Sequence, residues 1–129
     1  MPVTYTIDAK QRLIRTRCVG SVTYDEVAAH FQSLLVDPEV PEYLDVLLDL
    51  SELGSLPETR QLENISREVQ KTRVKVRFGV CAIVAQRDAL FGMMRMFEVI
   101  ARAYFREIRA FRGMAEAEAW LASERQPAQ

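Results

Sequence analysis

The residues best placed for chemistry are hydroxyls and carboxylates gathered in one short stretch: Asp49, Ser51, Ser55 and Thr59. They lie where the apolar run Leu44 to Leu50 hands over to a helical segment, at the carboxyl edge of a parallel sheet, where open α/β sheets bind ligands. A hydroxyl there can accept a phosphate, which the positive end of a helix dipole favours, or it can touch a partner protein. The same Ser and Thr side chains can equally cap the free amides of a helix. Asp88 follows a second apolar run, Phe78 to Ala85, and could share that edge with Asp49. An N-cap role accounts for it fully. Two aspartates with no third carboxylate or His are a poor metal site, and a poor acid–base pair unless burial raises one pKa.

The remaining reactive side chains are isolated. His30 is the only histidine and shares a helix face with Glu26 and Ser33, which places it on a solvated surface with no nucleophile in reach. Cys18 and Cys81 lie far apart inside apolar or alternating segments and read as small buried hydrophobes. Arg17 adjoins Cys18, but its side chain points to the opposite face of the strand. No C-x-x-C spacing is present, and a single His excludes a His-based metal cluster. Without a nucleophile–base pair, a metal set or a cofactor motif, the chain reads as a non-enzyme that needs no cofactor.

Composition narrows the setting. The chain has 129 residues with 17 basic and 18 acidic side chains, so no basic face of the kind nucleic acid demands is implied. Nearly half of the residues, 49%, are hydrophobic, enough for one domain with a real core. No apolar run approaches the ~18 residues of a membrane span, and the start of the chain has no signal-peptide pattern. A cytoplasmic protein without membrane insertion is the expectation, with one domain over 1–122 and a disordered tail over 123–129.

The elements that must position these residues follow from periodicity. Val3 to Asp8 and Arg12 to Val19 alternate and read as an antiparallel hairpin. Thr23 to Glu26 is a capping box opening a helix that carries Val27, Phe31 and Leu34 and stops at Asp37, before Pro38. Leu44 to Leu50 is a third strand. Pro57 suits the first turn of a second helix with a narrow stripe, Leu62, Ile65 and Val69. A fully apolar fourth strand, a third helix over Leu90, Met94, Phe97, Ala101 and Tyr104, a fifth strand from Glu107 to Phe111 and a closing helix through Leu121 complete the order. The fold class is therefore α/β: a mixed five-stranded sheet, hairpin first and then parallel, with four helices. Right-handed crossovers between neighbouring strands put three helices on one face. On the other, Arg15 and Arg17 are expected to pair with Asp45 and Asp49 across strands two and three.

The third helix is rich in methionine. Leu90, Met94, Phe97, Ala101 and Tyr104 suffice to dock it, which leaves Met93, Met96 and Phe105 beside Gly92, a residue that costs helix stability and permits close approach. Gly92, Met93, Met96, Phe97 and Phe105 thus form a candidate surface for an apolar ligand or a second subunit, with plain core packing as the alternative.

Three patterns taken together resemble the SpoIIAA-like, or STAS, group of small bacterial domains. They are the strand end Leu47-Leu48-Asp49-Leu50-Ser51, the run Ala82 to Ala85 leading to Phe91 through Phe97, and the segment from Phe111 to Trp120 and Leu121. The resemblance implies a SpoIIAA-like fold over nearly the whole chain. In the anti-sigma-factor antagonists of that group, an Asp-Ser-Ser triplet opens the next helix and its last serine is phosphorylated. Here Pro57, Glu58 and Thr59 stand in that place, and Thr59 alone keeps a hydroxyl. The chain is more similar to the uncharacterised STAS/SEC14-like branch. The expected function is a regulatory or binding module acting by protein–protein contact or self-association. The alternatives are a carrier of a small apolar or lipid-like ligand under the third helix, and a phospho-regulated antagonist.

Overall fold

The computed structural model describes residues 2–125. Five strands, β1 (Val3–Asp8), β2 (Leu13–Gly20), β3 (Tyr43–Leu53), β4 (Arg77–Val84) and β5 (Glu107–Phe111), form one sheet in chain order. β1 and β2 are antiparallel and every other pair is parallel, with Arg17 opposite Asp49 and Leu48 opposite Ile83. The interior strand β4 is buried from Phe78 to Val84, as its unbroken apolar run requires in a parallel sheet covered on both faces. The fold class read from the sequence is the one observed.

Helices α1 (Tyr24–Val36), α2 (Thr59–Thr72) and α3 (Asp88–Ala101) are the crossovers and pack on one face. Helix α1 opens on the expected capping box: the Glu26 amide donates to Thr23 Oγ1 at 3.2 Å, and the Thr23 amide to Glu26 Oε1 at 2.9 Å. Helix α3 ends at Ala101 and tightens into a 3₁₀ turn over Arg102–Tyr104, after which Phe105 turns inward against Phe78. Glu98 of α3 is half-buried and accepts the Ala110 amide at 2.6 Å. An edge strand has outward amides to satisfy, and this one uses a side chain.

Helix α4 (Met114–Glu124) covers the opposite face, where Ala117 and Leu121 meet Leu13, Leu47, Val80 and Val84. This face is therefore not an open ladder of charges. Strands two and three are adjacent and parallel as expected, but the ion pairs differ. Arg15 reaches Glu118 of α4 at 2.8 Å, Arg17 pairs with Glu52, and Asp49 accepts from its neighbour Ser51. Asp45 is buried, at 2% exposure, with Arg125, just past α4, closing over it. Its carboxylate accepts from Tyr43 Oη, the Val80 amide and Arg125 Nε, each at 2.9 Å. Gly79 makes the room: a Cβ there would overlap both Tyr43 Oη and Asp45 Oδ1. A tail starting at 123 is corrected accordingly, since α4 runs through Glu124 and Arg125 is anchored on Asp45. Residues 126–129 of that expected tail lie outside the described residues.

Candidate functional site: an apolar cavity between helices α1 and α2 and the sheet

Well-packed cores leave few voids larger than a water molecule. Under α1 and α2 this protein has a cavity of about 430 Å³, within the range of small-molecule sites. Its floor is the helix-side face of β2 and β3: Ile14, Thr16, Cys18, Val46, Leu48 and Leu50. Tyr24, Val27, His30, Phe31 and Leu34 of α1 and Leu62, Ile65 and Val69 of α2 form the roof. Met94 and Phe97 of α3, with Phe105, close one side, and the loop residues Val22, Ser55, Leu56 and Pro57 form part of the lining. Val46 and Leu48 lie mid-strand yet are only half-buried, because empty space rather than a side chain faces them.

Polar struts tie the two roof helices to each other and to the edge of the fold. Tyr24 Oη donates to the buried Glu68 at 3.2 Å, and Lys71 Nζ lies at 3.2 Å from the same carboxylate. Burial and then the Glu68 charge push the Tyr24 phenol above its ordinary pKa, so it stays a donor. Past the end of α2, Lys75 Nζ donates to the carbonyls of Leu34 at 2.9 Å and Asp37 at 2.6 Å, fixing the last turn of α1. The Val22 amide donates to Ser55 Oγ at 3.1 Å, joining the β2–α1 loop to the β3–α2 loop.

The interior is almost uncharged. Cys18 is pushed up to about 11, by burial first and then by Asp49, and burial alone raises Cys81 further. Neither thiol is a nucleophile at neutral pH, as the sequence implied. His30 departs from its expected place. It is half-buried on the cavity side of α1, its ring edge-on to Tyr5 and to Phe31 with centroids 5.3 Å apart in each case. Burial pushes its pKa down to about 4, so the imidazole is neutral at pH 7. Its spacing of three from Val27 and four from Leu34 put it within the apolar stripe, and that spacing was the overlooked signal.

The hydroxyls and carboxylates singled out in the sequence do not converge. Ser51 is exposed and donates to Asp49 Oδ1 at 2.6 Å, a contact within β3. Ser55 belongs to the cavity lining, while Thr59 is exposed in the first turn of α2. Neither caps that helix: Glu58 is the N-cap residue, its amide donating to Gln61 Oε1 at 2.7 Å. Asp88 is the first residue of α3 and pairs with Arg112 instead of capping. Of the candidate apolar surface, Phe97 and Phe105 line the cavity and Met93 packs against the core. Met96 is exposed, and a Cβ at Gly92 would meet nothing within 4 Å. The cavity thus lies under α1 and α2, and of the α3 methionines it is Met94, not Met93 or Met96, that borders it. Among the described residues no group of three or more His, Cys, Asp or Glu is placed to hold a metal, and no helix is long and apolar enough to cross a membrane.

No protein-family model matches the sequence, and no curated protein matches it. Among solved structures the chain is similar to an uncharacterized protein of the DUF3478 family with a SpoIIAA-like fold, from Shewanella loihica PV-4. The two share 22% identity at a TM-score of 0.55, over 92% of this chain and 93% of that one. The strand order, the hairpin-then-parallel sheet and this match agree: the chain has a SpoIIAA-like fold.

Proposed function

We propose that this protein is a binding module that holds a small apolar molecule between α1, α2 and the β2–β3 floor. One observation carries the reading: a cavity of about 430 Å³ lined mainly by aliphatic and aromatic side chains, in a chain otherwise large enough to pack its core. Side chains sufficient to fill it are absent from the floor, where Thr16, Cys18 and Val46 are small. Burial of apolar surface supplies the affinity, at ~25 cal/mol per Å² before the costs of association. The test uses the neutral dye N-phenyl-1-naphthylamine, whose fluorescence rises in apolar surroundings, with native mass spectrometry of the purified protein for retained small molecules. Saturable dye binding that Val46→Phe abolishes supports the reading. Non-saturable binding, or binding indifferent to that substitution, sinks it.

A second reading, contact with a protein or with another copy, rests on Met96 and Val99. They are 42% and 65% exposed, three residues apart on one turn of α3. Size-exclusion chromatography of wild type and Val99→Glu decides it; an unchanged monomeric elution removes self-association.

A further inference from the structure

Of the polar side chains that line this mainly apolar cavity, two come from its floor and roof beside Tyr5. Thr16 rises from the floor on β2 and His30 descends from α1. Tyr5 locates both: it stands directly opposite Thr16 in the β1–β2 ladder, and its ring meets that of His30 at 5.3 Å. Tyr5 itself is committed elsewhere, its hydroxyl donating to Asp37 at 2.6 Å. Neither Thr16 nor His30 makes a side-chain hydrogen bond among the described residues, and no buried polar side-chain atom there is left without a partner, so the polar atoms of both are accessible in residues that line the cavity. Glu58, the one charged side chain in the lining, is an exposed residue at the start of α2.

We infer that the cavity selects apolar molecules bearing one uncharged hydrogen-bonding group, a hydroxyl or a carbonyl, held between Thr16 and His30. This rests on the binding reading above and narrows its ligand class. A neutral imidazole offers one donor and one acceptor, and the threonine hydroxyl both, so an alcohol is satisfied in either direction and a carbonyl can accept from both. A hydrocarbon would leave these groups unpaired when it displaced water from them. A carboxylate would be taken out of water with no cationic side chain facing it.

The test compares naphthalene, 2-naphthol and 2-naphthoate at pH 7, a matched series differing in one substituent, as competitors of the neutral dye. The expected order is naphthol tightest, with naphthalene about tenfold weaker and naphthoate weaker still. In the Thr16→Val, His30→Leu double variant the naphthol-to-naphthalene ratio should fall to about one; Thr16→Val alone should reduce it in part. Reading the ratio within each variant keeps the result independent of a partial loss of folded protein. Naphthoate binding as tightly as naphthol, or an unchanged ratio in the double variant, overturns this inference while leaving an apolar site intact. Failure of the dye and of all three competitors overturns the binding reading and this one together.

Discussion

Arg125 Nε lies 2.9 Å from Asp45 Oδ2, joining residues 80 apart in sequence and closing the end of α4 over the sheet. The carboxylate side chain is 3% exposed and the guanidinium 19%, so neither is replaced by water without cost. Removing one partner of such a pair strands the other charge, which is the costly case. Arg125→Ala should therefore destabilise by about 2–3 kcal/mol. Asp45→Ala should cost more, about 3–5 kcal/mol, because the Val80 amide and the Tyr43 hydroxyl lose their acceptor too. Urea unfolding midpoints of the two variants check the order. Equal, small losses would mean that Arg125 contributes nothing to closing this face.

Gly79 is the steric counterpart of that pair. Its backbone lies against Tyr43 Oη and Asp45 Oδ1, and a Cβ would overlap both. Tyr43 can swing away, but Asp45 is held by three hydrogen bonds and cannot. Gly79→Ala should thus destabilise by at least ~2 kcal/mol, despite the general preference of strands for alanine over glycine. A thermal melt at or above the wild-type temperature would contradict it.

The sheet was legible in the sequence because alternation and unbroken apolar runs are backbone-period signals. Val3 to Asp8 and Phe78 to Val84 declare their burial without reference to any other segment. Chain order of the strands was read from the alternation of Arg15 and Arg17 on one strand and Asp45 and Asp49 on the next, and crossover handedness then put three helices on one face. The partners of Arg15, Arg17 and Asp45 were not legible, since α4 arrives from residue 114 onward to cover a face that the strand pattern alone leaves polar. The cavity was hidden for a different reason. Val46 and Leu48 carry the same pattern whether a side chain or empty space lies above them. An absence of volume leaves no periodicity, and Asp49, Ser51 and Thr59, around the handover from β3 to α2, drew attention away from it.

Filling the cavity should separate stability from binding. Val46→Phe adds apolar volume to a space that already exists, so it buries new surface without displacing neighbours. The expected gain is about 0.5–2 kcal/mol in unfolding free energy, with dye uptake abolished. Most large-for-small core substitutions do the reverse. A destabilised Val46→Phe would show that the walls of α1 and α2 already meet in solution and that the cavity is not available there.

His30 gives the fold a pH signature that a single measurement can read, because it is the only histidine in the chain. Burial lowers its folded pKa to about 4, while the unfolded chain titrates near 6.5. Between these values the unfolded state binds the proton and the folded state does not. Stability therefore rises with pH across this window: it is fully present above about 6.5 and declines as the pH falls toward 4. The loss contributed by His30 is at most about 3 kcal/mol, and less where the ring meets water through the cavity. Asp37, whose carboxylate is held low first by the Tyr5 hydroxyl, acts only below the ordinary carboxylate range and leaves this window clear. Denaturant midpoints from pH 7 to 4 for wild type and His30→Leu, with the imidazole C–H resonance followed by NMR, give both quantities. The wild type should lose stability in step with the titration expected of the unfolded chain, and the variant should lose less. An imidazole titrating near 6.5 in the folded protein would place His30 in bulk water and remove it from the cavity wall.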